Sequence, residues 1–311
     1  MRALLTGGGG MLASGISEAW HARRPADSLT VLTRRDVDLR DAVATRRAIA
    51  TSAPDVVIHT AAYVGGIGDK TARPLPYLLD NLRIDASVLD AIVAEEVPGY
   101  LYTASAAAYP ATVLNPITED ALFGGRLEPE NEGYGLAKLA GLTAVRYAAR
   151  QTGLAYRSIL PSNLYGPRDT FDPRRSHLIA STIFKAHKAR ESGSRTVEAW
   201  GDGTARREFI FAPDLAEWLV DSIGDLGGWP AFMNVGAGVD HSIRELYELA
   251  CDIVGFDGEL VFDESKPSGV PQRLIDSSVA RRHRWGPRTG IRDGMVASYR
   301  SLLSRTATGD L

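Results

Sequence analysis

The sequence predicts an α/β protein, a Rossmann-type doubly wound parallel sheet carrying a smaller α/β lobe. Three observations predict it. A short apolar run, Ala3 to Thr6, leads directly into four glycines, Gly7 to Gly10. Short β-favouring segments then alternate with segments of helical apolar spacing, the pace of parallel strands joined by crossover helices. At 311 residues the chain can bury a large core, either as one α/β unit or as a nucleotide-binding domain with a smaller companion.

Taken in order, MRALLTGGGGMLASGISEAW reads as a buried strand, a glycine turn and an amphipathic helix. Gly7, Gly10 and Ala13 follow a GxxGxxA spacing. Glycines there let the backbone turn tightly and approach a pyrophosphate, and the small third residue lets helix meet strand closely. Alone, the same letters fit a glycine-rich turn in any loop. The segments that follow give it a setting: a second strand SLTVLT, the stretch DVDLRD, a helix RRAIATSA, and an apolar strand DVVIHTAA ending in small residues. In a sheet of this kind ligands sit at the carboxyl ends of the strands. After the second strand, where a carboxylate would hold a ribose 2′-hydroxyl, the chain offers Thr33, Arg34 and Arg35. These suit a 2′-phosphate and favour NADPH; arginines that simply solvate a turn are the other reading.

LYTASAAAYP closes a further strand on Ser105, and NEGYGLAKLAGLTAVRYAARQ has the composition and spacing of a long helix. Tyr134 and Lys138 stand four apart on it, hence on one face. That spacing predicts the Lys138 ammonium beside the Tyr134 hydroxyl, drawing the phenol toward neutrality as a proton donor. Cys251, the single cysteine, lies in the helical pattern IRELYELACDIVGF and reads as a small core residue. One cysteine allows neither a disulfide nor a thiolate metal site, and no metal is expected. The 35 basic and 38 acidic residues are well mixed, for a net charge of -3. That excludes the basic stripe that nucleic acid or an anionic membrane would need. The first residues lack a signal-peptide core and no stretch has the length of a membrane span, so a cytoplasmic location is expected.

Ser105, Tyr134, Lys138 and the glycine turn together make the pattern of the short-chain dehydrogenase/reductases, in their extended, sugar-nucleotide-modifying branch. The resemblance narrows with GGGGML, AAYVGGI, LEPENEGYGLAKLAG, YRSILPSNLYGP, FDPRRSHL, WGDGTARREF, NVGAGVDHSIREL, GFDGELVFDESKPSGVP and RLID, in order between residues 7 and 276. On these the chain resembles the GDP-L-fucose synthase family, 3,5-epimerase/4-reductases of GDP-4-keto-6-deoxymannose. The resemblance implies that Tyr134 protonates the C4 oxygen, that Lys138 binds the nicotinamide ribose and tunes Tyr134, and that Ser105 hydrogen-bonds the C4 carbonyl. It implies NADPH contacts at Gly7, Gly10, Met11, Leu12, Arg34, Arg35, Asp38, Leu39, Ala61, Ala62, Lys138, Pro161, Asn163, Leu164 and His177. It implies substrate contacts at Ser105, Ala106, Asn163, Lys185, Trp200, Arg207 and Arg273, with Arg207 on the diphosphate. For Trp200, packing at a domain joint is an equal reading. The family epimerises with a cysteine two residues after the serine and the histidine of SHL. The histidine is His177, but the cysteine position is Ala107, which takes no proton from carbon.

Reduction without double epimerisation is therefore expected, on a nucleotide-diphosphate 4-keto-6-deoxy sugar. The substrate side departs too: Lys185 stands for an arginine, Arg273 for a lysine, and Thr170 for the asparagine of GPxDNF. Thymidine- and guanosine-linked sugars both stay open. A true epimerase/reductase with another base, a dehydratase and a non-catalytic NADPH-binding protein are the rival readings. A dehydratase would want an acidic pair where alanines follow Ser105, and an intact Ser105, Tyr134 and Lys138 argues for an enzyme. Residues 1–165 with 208–235 are expected to form the NADPH domain, and 166–207 with 236–311 the nucleotide-sugar lobe. A homodimer through helices near 77–96 and 134–152 is what the resemblance implies, and the tail TATGDL is expected to fray.

Overall fold

The computed structural model describes residues 1–172, 175–266 and 269–309. The first half runs β1 (Arg2–Thr6), α1 (Met11–Arg23), β2 (Ser28–Leu32), α2 (Ala42–Ser52), β3 (Val56–His59), α3 (Ile67–Ala72), α4 (Pro74–Ala94), β4 (Gly99–Thr103), α5 (Glu132–Thr152) and β5 (Ala155–Pro161). Then follow β6 (Asn163–Tyr165), α6 (Leu178–Ser192), β7 (Thr196–Trp200), β8 (Arg206–Phe211), α7 (Ala212–Ser222), β9 (Phe232–Val235), β10 (Asp240–Ser242) and α8 (Ile243–Val254). β11 (Glu259–Asp263), β12 (Gln272–Arg273), α9 (Ser278–Arg282) and α10 (Ile291–Thr308) complete the described chain. Local chemistry sets the ends. Asp41 caps α2 by accepting from the backbone of Val43 and Ala44, both at 3.0 Å, and Ser242 and Glu245 close a reciprocal capping box on α8.

Six strands form one parallel sheet in the order β2-β1-β3-β4-β5-β9. Its central strands are apolar on both faces, as a sheet covered by helices on each side requires; Val57 and Ile58 are completely buried. One face packs α1 and α7 around Trp20, Trp218 and Trp229, and Gly15 brings the two helices together, since a Cβ there would lie 3.1 Å from that of Ala216. The other face packs α2, α4 and α5 around Tyr100, Tyr102 and Tyr156. From β1 the chain moves outward to β2 and then returns past β1 to β3. The crevice at the carboxyl ends of β1 and β3 is thus the switch point at which such sheets bind ligands.

A second sheet, β10-β8-β12 with β6 on β8, and a parallel pair β11-β7 build the lobe. Its own core lies among α6, α8 and α10. Cys251 belongs to that core, and burial pushes its thiol up to about 11.

Several segments sit differently from their assignment by sequence. Asn163–Tyr165 pair with β8 in the lobe's sheet, because the backbone leaves the main sheet once Pro161 has ended β5. Conversely, Ala280 and Trp285 pack into the core beneath α1 and α7, where the Trp285 indole donates to the carbonyl of Gly236 at 2.7 Å. The tail continues helically through Thr308 instead of fraying from Thr306; Asp310 and Leu311 lie outside the described residues.

Candidate active site

Gly7 leaves β1 with φ +82°, and a Cβ on it would stand 2.7 Å from the backbone nitrogen of Ala61. No side chain but hydrogen fits between β1 and the end of β3. At Gly9 the same addition would meet nothing within 4 Å, so the loop is packed on its inner side and open on its outer one. Gly10 begins α1 with no side-chain cap, which leaves the first-turn N–H groups at Met11 and Leu12 directed at the crevice, an arrangement suited to an anion. A cradle that a Cβ would fill and an uncapped helix end are what a dinucleotide pyrophosphate requires. Ala61 and Ala62 line the β3 side, partly exposed.

After β2, Thr33 is spent on a turn, its N–H and hydroxyl both donating to Asp36 at 2.8 and 2.7 Å. Arg34 and Arg35 are exposed beyond it. Asp38 is held down to about 2 by its hydrogen bonds from Arg40, with Arg34 adding to the field. Leu39 is buried beneath this edge.

Ser105 and Tyr134 meet. The Ser105 side chain lies close enough to the Tyr134 hydroxyl to draw its phenol down, and it accepts from the N–H of Ala107 at 3.2 Å, which caps the short helical turn of Ala106 to Ala108. α5 is seated on that turn through Gly135, whose Cβ would stand 2.5 Å from the Ala107 carbonyl oxygen. The expected drawing-down of the Tyr134 phenol by Lys138 is what the structure corrects. Its ammonium lies 3.5 Å from Asp85 Oδ2 and 4.7 Å from the centroid of the Tyr102 ring. Burial and the Asp85 charge accordingly push the Tyr134 phenol up rather than down, relieved in part by Ser105. An anion beneath the lysine satisfies a buried cation, and sequence spacing carries no sign of that partner.

Beside Tyr134 stand groups that sequence reading missed. Lys70, on α3, has its ammonium 4.7 Å from the Tyr134 ring centroid and donates to Asn131 Oδ1 at 2.9 Å. Burial pulls it down to about 8, against the pull of Glu128. The same burial, with the Lys70 charge nearby, lowers His177 to about 4, so that its imidazole is neutral. α3 is fitted against the His177 segment through Gly66, where a Cβ would lie 2.7 Å from the carbonyl oxygen of Ser176. Across the cleft, Trp200 comes within van der Waals reach of α3, 3.9 Å from a Cβ built on Gly68. It is 40% exposed, which joins the two readings of this residue: it bridges the lobe to α3 with one face free.

Glu128 is the other missed group. It receives Asn131 Nδ2 at 2.6 Å, and its charge acts on Lys70, Arg207 and Arg273. Arg273 is 7% exposed; its Nη1 donates to the carbonyl of Pro110 at 2.9 Å, while Nη2 is buried without a partner. Three cations around one carboxylate, with a guanidinium nitrogen left over, give a positive subsite fit for a diphosphate. Lys185 stands apart from this group, donating to the Glu198 carbonyl at 2.9 Å. Asn163 is exposed on β6 and donates to the Glu208 carbonyl at 2.9 Å; Leu164, beside it, and Pro161 carry the chain from the main sheet to the lobe. Among the described residues no cluster of histidine, cysteine or carboxylates could hold a metal ion, and no helix is long and apolar enough to cross a membrane.

A glycine cradle at the switch point, together with a neighbouring serine and tyrosine, defines the class: a dinucleotide-dependent short-chain oxidoreductase. The chain belongs to the NAD dependent epimerase/dehydratase family, which matches residues 3–235, and within it to the GDP-L-fucose synthase-like group. GDP-L-fucose synthase of Azorhizobium caulinodans is 38% identical over 301 residues, 97% of this chain and 96% of its own. A GDP-6-OMe-4-keto-L-xylo-heptose reductase from Campylobacter jejuni superposes with a TM-score of 0.90 at 26% identity, over 97% of each chain. The GDP-mannoheptose C4 reductase of the same organism, solved with NADP bound, gives 0.87 at 26% identity, over 97% of this chain and 98% of its own.

Proposed function

We propose that the protein is an NADPH-dependent 4-ketoreductase of a nucleotide-diphosphate-linked 4-keto-6-deoxyhexose that reduces without epimerising C3 and C5. The observation that carries this reading is Ser105, beside the Tyr134 hydroxyl, capping the turn that holds Ala107. Bound NADPH supplies the hydride to C4. The Tyr134 hydroxyl gives its proton to the C4 oxygen as that oxygen gains the electron pair, and Ser105 donates a hydrogen bond to the same atom. Lys138 takes the nicotinamide ribose, Gly7, Gly10 and the start of α1 take the pyrophosphate, and Arg34 and Arg35 the 2′-phosphate. Arg207 and Arg273 hold the substrate diphosphate. The relatives described above act, by their names, on guanosine-linked sugars, so guanosine is favoured over thymidine for the base.

The methyl of Ala107 can neither remove nor return a proton at carbon. A second reading, epimerisation through a different base, has one observation in its favour: Lys70, held at about 8, lies over the Tyr134 ring and near His177. Turnover of guanosine- and thymidine-linked 4-keto-6-deoxyhexoses with NADPH in D2O, read by NMR at C3 and C5, separates the two. Reduction with no deuterium above the enzyme-free background is expected. Enzyme-dependent deuterium with inversion at either carbon would overturn the reading.

We infer the division of labour expected from sequence, with the NADPH domain in 1–165 and 208–235 and the sugar-nucleotide lobe in 166–207 and 236–311, moved at its edges by β6 and α9. A homodimer through α4 and α5 is the proposed assembly; Leu136 and Tyr147 on α5, with Phe123 beside them, expose apolar surface in its support, and sedimentation equilibrium tests it.

A further inference from the structure

Beneath the site lies a buried polar chain that the reduction as described does not use. Asp85, on α4, is 5% exposed, and Lys138, Tyr102 and His59 are no more than 1% exposed. All three converge on its carboxylate: Tyr102 Oη donates to Oδ2 at 2.5 Å, Lys138 Nζ stands 3.5 Å from Oδ2, and His59 Nε2 lies 3.1 Å from Oδ1. An ionised carboxylate only accepts, so Nε2 carries the proton of His59. Nδ1 is then an acceptor, and it takes the hydroxyl proton of Thr6 at 2.7 Å. Thr6 is the last residue of β1, next to Gly7. The chain thus runs from the glycine loop through His59 and Asp85 to Lys138. Its closeness depends on Gly141, where a Cβ would lie 2.3 Å from Tyr102 Oη and 3.0 Å from Asp85 Oδ2.

We propose that Asp85 is the positioning residue of Lys138, the counter-ion that fixes the ammonium at the floor of the site, itself fixed by Tyr102 and His59. The argument is one of compensation. A lysine this deeply buried loses its proton unless an anion faces it. Burial does pull Lys138 down, and Asp85 is the group that opposes it. Asp85 stays ionised although burial works against its charge, because Lys138, His59 and Tyr102 all favour the anion. The groups around Lys138 are Asp85 from α4, Tyr102 from β4 and His59 from β3, with Tyr100 of β4 packed behind the last two. Burial holds His59 neutral and holds both tyrosines of β4 protonated, so the one buried anion in the set is Asp85. It serves the lysine at a cost to Tyr134, whose phenol it pushes up.

The inference rests on the reading of Lys138 as a ribose-binding and tuning residue, and its test is chosen to stand apart from substrate identity. Lysine Nζ resonances of 15N-labelled protein, with Lys138 assigned through Lys138→Met, are titrated in wild type, Asp85→Asn and Asp85→Glu. In Asp85→Asn the Lys138 midpoint falls by about 2 pH units or more, and the basic limb of kcat moves down with it; Asp85→Glu restores both. An unchanged midpoint in a folded Asp85→Asn overturns the proposal, whatever sugar the enzyme reduces. A shifted midpoint with an unmoved kcat profile upholds Asp85 and removes Lys138 from the reaction. Should Asp85→Asn not fold, Tyr102→Phe is read instead. It takes one donor from the carboxylate and leaves more of its charge to the lysine, so the midpoint rises by about half a unit. No rise overturns the proposal.

Discussion

Ala107→Cys replaces the methyl at the epimerase position with the group that the resembling family carries there. The site has room for it. Ala107 is partly exposed while Ala106 and Ala108, on either side, are buried, so an added sulfur has room there that its neighbours lack. Its backbone is pinned by Ser105 Oγ at 3.2 Å and by the close seat of Gly135. A stability cost below about 1 kcal/mol is therefore expected, as for substitutions away from packed cores. A positioned general base contributes roughly 10²–10⁴ in rate. A thiol of ordinary pKa, near 8.5, is only about a tenth thiolate at pH 7.5, which takes back roughly one factor of ten. The balance is an increase of about 10- to 10³-fold in exchange at C3 or C5, or about 1.4–4 kcal/mol of barrier. The assay is deuterium incorporation by NMR on a 4-keto-6-deoxyhexose nucleotide with the cofactor omitted, comparing wild type, Ala107→Cys and Ala107→Ser. The serine variant controls for size without supplying a base. Exchange in the cysteine variant no faster than in the serine variant would refute the reasoning, because the missing thiol would then not be what limits carbon chemistry at this site.

Tyr134→Phe removes the proposed proton donor and leaves the crevice intact: kcat is expected to fall by about 10² or more, with NADPH affinity, read by fluorescence titration, unchanged, and retained turnover would contradict the assignment. Substituting Arg34 and Arg35 together by alanine is expected to weaken NADPH by about tenfold or more and to leave NADH nearly unaffected. That loss shrinks as salt rises, and equal losses for both cofactors would place the 2′-phosphate elsewhere. Asp169 is 5% exposed with Oδ2 unpartnered, and burial pushes it from 3.8 to about 7. The folded chain therefore holds a proton that the unfolded chain has lost between these values, so stability is full below about 4, falls as pH rises toward 7 and levels off above. Asp169→Asn is expected to flatten that fall in a series of Tm measurements, with a gain at pH 8 below about 4 kcal/mol; an unchanged pH slope would show the carboxyl ionised throughout.

What sequence could and could not reveal divides along a physical line. Strands β1, β2 and β3 and helices α1 and α5 are announced by local patterning, because apolar runs and helical spacing follow directly from which faces must be buried. Gly7 and Gly10 are legible for a similar reason, since their chemistry is that of the backbone they permit. Ser105, at the end of its strand, comes beside Tyr134 of the long helix, as the end of a parallel strand and the helix after it share one crevice. The partners of Lys138 did not emerge, because Asp85 is 53 residues away on another helix and its aspartate looks like any polar residue in NLRIDASVLDAI. A carboxylate facing water and one buried under a cation are written with the same letter. Lys70 was missed for the same reason, on a six-residue helix that carries no amphipathic signal.

These omissions have a common consequence for the chemistry. Read from spacing alone, Tyr134 has a single cation one turn away that lowers its pKa. In the folded chain that cation is matched by Asp85, so the net charge beneath the phenol is close to zero, and Tyr134 is held protonated. A protonated phenol is the form that a ketone reductase needs at the start of its cycle, since its task is to give a proton when the C4 oxygen becomes an alkoxide. The stabilisation of the phenolate left behind then falls to the other cation at the ring. Lys70 lies 4.7 Å from the ring centroid, and at about 8 it is still mostly charged at pH 7. A balanced ion pair near the phenol with a second cation at its ring suits proton donation, whereas a lone lysine would favour the deprotonated tyrosine of the reverse reaction.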